Sequence, residues 1–335
     1  MISIIIPVHN GAGHLEECLK RVFASTYQDY EVIIADDCSS DASDRIARAY
    51  AKNIIRLPER RGPAAARNAG SQSAGGEILL FIDSDIFIMP DTLQRIADFL
   101  RENGNIDAVT GIYSARCPYV NFSSRYKNLY LRYKFTVIPE FTCAANTALL
   151  AVRRSSFEKA GRFDPDVSTC EDFEFSQRFA AAGFKIYNDK GLEVAHSRYF
   201  SLFGLIRDDF KKAVNMAHLF FNRRNRLYRH PGERGALSIG HSQMAAVTTT
   251  FLLFIFFCLL PFFSSAWLIA ACLMLGVFTL ACNFSFWRFQ WRGQSMGFKA
   301  ASFSFTYIEH LISAFAVLFA AIRMIAGKTK GDFRP

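Results

Sequence analysis

The sequence predicts an α/β fold: a mostly parallel sheet with helices on both faces, followed by an amphipathic connector and C-terminal transmembrane helices. Short apolar runs alternate with segments of helical periodicity over residues 2–100, which is typical of βαβ units. The run Ile78–Ile82 is continuously apolar, as in a strand buried on both faces. From Met244 to Trp287 there is no Asp, Glu, Lys or Arg, and about 20 apolar residues suffice to cross a bilayer.

The elements of the N-terminal part follow one another in βα order. Proline is favoured in the first turn of a helix, so Pro63 and Pro90 are each expected to open one. The predicted strands are Ile2–Val8, Glu31–Ala35, Asn53–Leu57 and Glu77–Ile82, and the predicted helices are Gly13–Ser25, Asp44–Tyr50, one from Pro63 and one from Pro90 to Leu100.

Polar and charged residues follow each predicted strand. Parallel sheets bind ligands outside the carboxyl ends of their strands, so we expect these side chains to share one edge of the sheet. Neither G-x-G-x-x-G nor the P-loop motif G-x-x-x-x-G-K occurs in the expected place, which disfavours dinucleotide and P-loop sites. The residues at this edge are Pro7, His9, Asn10, Asp36, Asp37, Ser39, Ser40, Asp41, Arg60, Arg61, Gly62, Arg67, Asp83 and Asp85.

The motif Asp83-Ser84-Asp85 interrupts an apolar run. Buried carboxylates are costly unless a positive charge meets them. A divalent cation, Mg²⁺ or Mn²⁺, binds one or two carboxylates together with substrate phosphates, so we expect one cation to meet both carboxylates and to neutralise a diphosphate. A turn or a helix cap is the alternative for an isolated motif of this kind, and the arginines at the same edge favour the metal.

Seven segments, in this order over roughly residues 2–200, resemble those of the family 2 glycosyltransferases. They are "SIIIPVHN", "DDCSSD", "RRGPAAARNAG", "LLFIDSDIFI", "CAANTALLAVRRSSFEKAGRFDPDV", "CEDFEFSQRFAAAGFKI" and "VAHSRYFS". The resemblance implies a GT-A (Rossmann-like) fold, a nucleotide-diphospho-sugar donor and a divalent cation.

The resemblance also implies roles for single residues. Asp37, with Asp36, is similar to the carboxylate that holds the nucleotide base, and Asn146 falls where family members contact sugar or acceptor. For His196, a core histidine is the alternative to a role at the metal or diphosphate. The remaining implied positions are Pro7 and His9 lining the base pocket, Arg60 and Arg67 beside uridine or diphosphate, Asp83 at the ribose and Asp85 on the metal.

The pair Glu171-Asp172 matches the catalytic Glu-Asp pair of the family, in which the Asp is the usual base. Direct displacement at an anomeric carbon needs a base for the acceptor hydroxyl and charge neutralisation for the leaving diphosphate. Adjacent carboxylates raise each other's pKa, which helps one of them act as a base. Acids favoured at a helix N-terminus are the alternative. Arg178 is expected to pair with Glu171 or Glu174.

The C-terminal part predicts an integral membrane protein. Two spanning helices are expected at Gln243–Phe262 and Ala266–Trp287, and a third candidate, Phe303–Ile325, carries Glu309 and His310. The third segment is left open as a span, a re-entrant or interfacial segment, or a core helix. No signal peptide is visible, and the eight cysteines show no pairing pattern, so the catalytic domain is expected in the cytoplasm.

The connector is basic. Residues 207–234 hold eight basic and three acidic residues, which indicates attraction to anionic head groups or a charged lipid substrate, or a topology signal alone. A helix in 203–221 is expected either to lie in the membrane interface or to pack on the catalytic domain. Nucleic acid is disfavoured as a partner, because no basic-aromatic module accompanies the charge.

These observations predict a catalytic domain at 1–200, a connector at 201–240, a membrane domain at 241–327 and a basic tail at 328–335. The predicted function is inverting transfer of a single sugar from a nucleotide-diphospho-sugar, with a UDP-sugar as first choice, to a hydroxyl of a lipid or lipid-linked glycan. Single transfer is expected because the Q-x-x-R-W motif of processive synthases is absent. The alternatives are a polyprenyl-phosphate sugar synthase, a catalytically silent membrane scaffold and a nucleotidyltransferase.

Overall fold

A computed structural model describes residues 1–167, 169–221, 241–263 and 265–326. The chain forms two compact units. Among the described residues, the sheet unit comprises 1–119 and 134–199, and the helical unit comprises 120–133 and the residues from 200 onward. Each unit is described by itself below.

The sheet unit contains one nine-stranded sheet in the order β3-β2-β1-β4-β8-β6-β9-β5, with β7 paired to β9. Six of the nine strands run in one direction, and β5, β7 and β8 run in the other. The sheet is therefore mostly parallel, as predicted. The strands are β1 (Ile2–Val8), β2 (Tyr30–Asp36), β3 (Asn53–Arg56), β4 (Ile78–Phe81), β5 (Ile86–Phe87), β6 (Ala108–Tyr113), β7 (Phe141–Thr142), β8 (Leu150–Arg153) and β9 (Ile186–His196).

Helices cover this sheet, and all seven residues of β1 are buried. One part of the core is aromatic, because the rings of Phe81, Phe157, Phe163 and Phe175 contact one another. The first helices end close to the predicted positions, but α4 begins after Asp91 rather than at Pro90. The helices are α1 (Leu15–Phe23), α2 (Ser43–Tyr50), α3 (Pro63–Ser73), α4 (Thr92–Glu102), α6 (Arg154–Ala160) and α7 (Glu171–Ala181), while α5 (Phe122–Val137) lies mainly in the helical unit.

The pairing of β6 with β9 contains an irregularity at Gly111. Thr110 pairs with Asn188 but Ile112 pairs with Glu193, so β9 carries extra residues between these positions. A Cβ on Gly111 would lie 2.3 Å from the backbone oxygen of Leu192. Only glycine fits this close approach of two backbones, and the irregularity sets the register of the last residues of both strands.

The helical unit contains three helices that are long and apolar enough to cross a membrane, judged by length and composition. The two predicted spans and the third candidate are all helical, and the third begins earlier than predicted. Its bounds place Glu309 and His310 in mid-helix rather than near an end. The helices of this unit are α8 (Leu202–Phe221), α9 (His241–Leu259), α10 (Ala266–Gln290) and α11 (Met296–Ile325).

The polar residues of α11 have partners inside the helical unit. Glu309 accepts a hydrogen bond from the hydroxyl of Tyr126 over 2.6 Å, and Nδ1 of His310 lies 3.1 Å from the hydroxyl of Thr250. Both residues are buried. Polar side chains of this kind in an apolar helix face neighbouring helices instead of lipid, so they do not argue against α11 as a span.

The apolar face of α8 is also covered. Val214 and Ala217 pack against Ala316 and Ala320 of α11. This contact lies within the helical unit, and the two expectations for the segment stay predictions. The basic residues of 222–240 and the tail 328–335 lie outside the described residues, so the predictions for them stay predictions.

A buried ion pair joins α8 to α5. Lys127 pairs with Asp209, and their side chains are 4% and 8% exposed. Because burial disfavours charge but Asp209 and Glu309 favour it more strongly, the pKa of Lys127 lies above its ordinary value. The lysine therefore stays charged at neutral pH and depends on its partner.

We expect Gly111→Ala to lower the free energy of unfolding by about 1–3 kcal/mol, because the backbone of Leu192 cannot move away from the new methyl group without breaking the pairing of β6 with β9. Gly104→Ala is the control, since an added Cβ there has nothing within 4 Å. Denaturant unfolding of the detergent-solubilised protein, followed by circular dichroism, measures both. Equal stability of the two variants would contradict the close approach.

We expect Asp209→Asn to cost about 3–5 kcal/mol, because it leaves the buried charge of Lys127 without a partner. The neighbouring Asp208 makes a more exposed pair with Lys212, at 2.9 Å, and Asp208→Asn is expected to cost about 1 kcal/mol or less. The same unfolding measurement compares the two variants. A loss as small for Asp209→Asn as for Asp208→Asn would show that Lys127 does not need this carboxylate.

Candidate active site

The side chain of Arg67 connects two carboxylates of the sheet edge. Its Nη1 donates to Oε1 of Glu171 over 2.7 Å, and its Nη2 donates to Oδ1 of Asp83 over 2.6 Å. Arg67 lies in the first half of α3, Asp83 follows β4, and Glu171 opens α7. The guanidinium is therefore a positive group opposite Asp83, and the expectation that one cation meets both Asp83 and Asp85 stays a prediction.

The charges in this cluster do not balance. Burial, opposed by Arg67 but reinforced by Asp85, raises the pKa of Asp83, although its side chain keeps 37% of its surface exposed. Burial, opposed by Arg67 but reinforced by Asp172, raises the pKa of Glu171. In both acids, burial together with the neighbouring carboxylate outweighs the charge of the guanidinium. A bound cation would stabilise the ionised acids.

The pairing of β5 with β9 brings Asp85 and His196 together. Ile86 is the register partner of His196, and the backbone N–H of Ser197 donates to the carbonyl of Asp85 over 2.8 Å. Nε2 of His196 consequently lies 3.5 Å from Oδ2 of Asp85. Although burial opposes ionisation, the hydrogen bond and charge of His196 outweigh it and lower the pKa of Asp85.

This pair fits a divalent cation whose remaining ligands come from a substrate. In octahedral coordination with bonds of about 2.1 Å, neighbouring ligand atoms lie about 3 Å apart, close to the spacing of Asp85 and His196. In the part of the chain that the structure describes, no group of three His, Cys, Asp or Glu side chains is arranged to hold a metal ion. The protein offers two ligands here, and a diphosphate and water would have to complete the set.

The two acids at the end of β2, Asp36 and Asp37, have different partners. Both carboxylate oxygens of Asp37 accept backbone N–H groups, from Arg61 over 2.7 Å and from Gly62 over 2.8 Å. Gly62 has φ +90, so a glycine suits this turn into α3. The side chain of Asp37 therefore holds the loop that also contains Arg60.

The two carboxylate oxygens of Asp36 have different surroundings. Its Oδ1 accepts the backbone N–H of Ser39 over 2.9 Å. Its buried Oδ2 has no hydrogen-bond partner among the described residues and forms an ion pair with Nε of Arg56 over 3.7 Å. Nδ1 of His9 lies 2.8 Å from the backbone oxygen of Asp37, and Pro7 precedes it at the end of β1. These side chains share one end of the first two strands, as predicted.

Asp172 and Glu171 point to different partners. Glu171 contacts Arg67, whereas Oδ1 of Asp172 accepts the backbone N–H of Phe173 over 2.8 Å. Arg178 pairs with Glu174 and not with Glu171, with Nε 2.5 Å from Oε1. Glu171 therefore belongs to the ion-pair cluster of Arg67, and Asp172 has a backbone partner instead.

Asn146 lies in the same cluster together with Tyr113, which the sequence did not point to. The hydroxyl of Tyr113 donates to Oδ1 of Asn146 over 3.1 Å. Burial, and then the charges of Asp83, Asp85 and Asp172, raise the pKa of Tyr113 above its ordinary value, so its hydroxyl is near all three acids. Tyr113 ends β6, and the rule that ligands bind at strand ends would have found it had β6 been predicted.

The N-terminal half of the chain is similar to known glycosyltransferases. Residues 3–165 match the model of Glycosyl transferase family 2. An uncharacterized glycosyltransferase of Haemophilus influenzae is 27% identical over 180 residues, which are 52% of this chain and 60% of that protein. Glycosyltransferase AglE of Haloferax volcanii is 28% identical over 192 residues, which are 55% of this chain and 63% of that protein. The chain thus covers less than two thirds of these relatives.

The fold also resembles a solved structure. The mannosyltransferase PcManGT from Pyrobaculum calidifontis, in complex with GDP-Man and Mn²⁺, has a TM-score of 0.62 and 18% sequence identity, over 98% of this chain and 87% of that chain. At this identity the likeness concerns the fold. Residues 3–165 thus match Glycosyl transferase family 2 in sequence, and the fold is of the GT-A type.

Proposed function

We propose that this glycosyltransferase is an inverting enzyme. It moves a single sugar from a nucleotide-diphospho-sugar to a hydroxyl of a lipid or lipid-linked glycan. The observation that carries the proposal is the bridge of Arg67 between Asp83 and Glu171, because it ties the metal side of the site to the helix that bears Asp172. The groups proposed to bind the leaving diphosphate then lie close to Asp172, which is proposed to accept the proton of the incoming hydroxyl.

The donor nucleotide would bind at the ends of β1 and β2. Oδ2 of Asp36, which is ion-paired with Arg56 but accepts no hydrogen bond from the described residues, suits a ring N–H of the base, which both uracil and guanine possess, while Asp37 supports the loop with Arg60. A UDP-sugar remains the first choice and a GDP-sugar the second, because the similar mannosyltransferase was solved with GDP-Man. Asp83 would face the ribose and Pro7 and His9 the base, as the family resemblance implies.

Asp85 and His196 would hold Mg²⁺ or Mn²⁺. When bound, such an ion neutralises charge that develops on the leaving nucleoside diphosphate. The mannosyltransferase PcManGT, which is similar in fold, was solved with Mn²⁺, and this supports a divalent cation in the present protein. Arg67 adds a fixed positive charge beside the same acids, so the electrostatic support for the leaving group is not supplied by the ion alone.

Asp172 would act as general base. Its carboxylate accepts the proton of the acceptor hydroxyl while the hydroxyl oxygen forms a bond to the anomeric carbon. The bond from that carbon to the diphosphate oxygen breaks, and its electron pair leaves with the nucleoside diphosphate. Attack from the opposite side inverts the anomeric centre. An already ionised acceptor, such as a polyprenyl phosphate, would need no such base.

The acceptor is proposed to be membrane-bound. Three helices of the same chain could span a bilayer by length and composition, and a lipid-linked acceptor places substrate and enzyme on one surface. All eight cysteines, each within the described residues, are free thiols, which supports a cytoplasmic catalytic domain.

We expect Asp85→Asn to weaken metal-dependent nucleotide binding about 10- to 100-fold, because it removes a charged ligand of the cation. Calorimetric titration with UDP, GDP and dTDP, each with and without Mn²⁺, measures this. Asp44→Asn is the control, since Asp44 makes an exposed pair with Arg48 on α2. A nucleotide affinity that changes neither with Mn²⁺ nor with Asp85→Asn would refute the metal site. The absence of any nucleotide binding would favour the silent scaffold.

We expect Asp172→Asn to lower kcat about 10²- to 10⁴-fold, since general-base catalysis contributes a factor of this size. Nucleotide binding should be retained. Transfer of radiolabelled sugar into the lipid-extractable fraction of membranes measures turnover, and Asp166→Asn, on the exposed loop before α7, serves as control. Full activity of Asp172→Asn would point to an ionised acceptor and against a hydroxyl.

A further inference from the structure

The amide of Asn146 is oriented by two donors. Its Oδ1 accepts hydrogen bonds from the hydroxyl of Tyr113 over 3.1 Å and from the backbone N–H of Ala148 over 3.0 Å. A backbone N–H can only donate, so the atom that it meets must be the amide oxygen. The other amide atom, Nδ2, is therefore the one that faces away from these two donors.

Nδ2 of Asn146 is a buried donor. The residue is 4% exposed, and Nδ2 has no hydrogen-bond partner within the part of the chain that the structure describes. Buried amide groups in native proteins are nearly always paired. A ligand oxygen is the natural partner for this atom, because only an acceptor can receive its N–H groups.

The surroundings of Asn146 indicate which part of a substrate supplies that oxygen. The backbone N–H of Ala145 donates to Oγ of Ser176 over 2.9 Å, and that hydroxyl donates to the carbonyl of Asp172 over 2.6 Å. The loop of Asn146 is thus fastened to the first turn of α7. On the other side, the ring of Tyr113 lies 5.3 Å from that of His196, centroid to centroid.

Asn146 consequently lies between the residue proposed as base and the residues proposed to hold the metal. In a displacement at the anomeric carbon, the transferred sugar occupies this interval, with the diphosphate at one end and the acceptor at the other. The hydroxyl oxygens of that sugar are acceptors of the kind Nδ2 requires. A phosphate oxygen would belong nearer to Asp85 and His196.

We infer that Tyr113 is a positioning residue which fixes the Asn146 amide so that Nδ2 donates to a hydroxyl oxygen of the transferred sugar. This inference rests on the proposed function. It makes Tyr113 a determinant of sugar selectivity that acts through Asn146. Without its hydroxyl, one of the two donors to Oδ1 is lost, and the amide can turn its oxygen toward the sugar.

The test compares Tyr113→Phe with the unchanged protein. Phenylalanine keeps the ring against His196 and removes only the hydroxyl. Tyr187→Phe is the control, because Tyr187 lies near the opposite end of the paired strands and stacks on Phe99. Calorimetry with Mn²⁺ gives the Kd of UDP and of UDP-glucose, and of GDP and of GDP-mannose, so that the contribution of the sugar is the ratio within each pair.

For the pair that the unchanged protein binds, we expect Tyr113→Phe to leave the Kd of the bare nucleotide within about twofold and to weaken the nucleotide-sugar about five- to tenfold. Asn146→Ala should weaken the nucleotide-sugar at least as much, and combining both changes should add little. An unchanged ratio in Tyr113→Phe would overturn the inference. Equally weakened binding of the nucleotide and of the nucleotide-sugar would also overturn the inference, because Tyr113 would then act on diphosphate binding through His196.

Failure of the proposed function gives a different result. If the unchanged protein binds none of the four compounds with Mn²⁺, the donor site itself is absent and the inference falls with it. If the unchanged protein binds a nucleotide-sugar and Tyr113→Phe leaves the ratio unaltered, the donor site stands and only the role of Tyr113 is refuted. Circular dichroism unfolding of each variant confirms that the comparison is made between folded proteins.

Discussion

A single buried guanidinium holds the active site together. Arg67 is 2% exposed, and its two donor nitrogens contact Asp83 after β4 and Glu171 at the start of α7. Despite burial, these two carboxylates keep the pKa of Arg67 above its ordinary value, so its charge is permanent. Removing one partner of a buried ion pair costs more free energy of unfolding than the intact pair contributes. We therefore infer that this clamp, formed by Arg67 with Asp83 and Glu171, mainly fixes the positions of the two acids.

Two other contacts extend this clamp into a complete site. On one side, the antiparallel pairing of β5 with β9 brings His196 to Asp85, which suits a divalent cation. On the other side, Ser176 fastens the loop of Asn146 to α7 and thereby to Asp172. Backbone pairing and short hydrogen bonds within the sheet unit thus position the residues that we propose for the cation, the sugar and the catalytic base.

The first four strands and the charged edge were predictable, because local periodicity and strand-end placement depend on nearby residues. The partner of Asp83 could not be predicted from the sequence, because Arg67 was assigned to the diphosphate and Glu171 to catalysis. Arg67, Asp83 and Glu171 come together only because α3 packs on β1 and its Arg67 contacts α7. Tyr113 and the β5–β9 pairing depend on contacts between distant segments, which no pattern in the sequence records. The apolar face of α8 was recognised, but its cover by α11 depends on helix packing.

We propose Asp85 and His196 as the protein ligands of the cation that meets the diphosphate. Pulsed electron paramagnetic resonance of Mn²⁺, bound to the protein together with UDP or GDP, tests this ligation directly by detecting nitrogen near the ion. If both residues bind the ion, we expect a nitrogen coupling in the unchanged protein that His196→Gln abolishes, and weaker Mn²⁺ binding in Asp85→Asn. A bound ion whose spectrum is the same in all three proteins would contradict it.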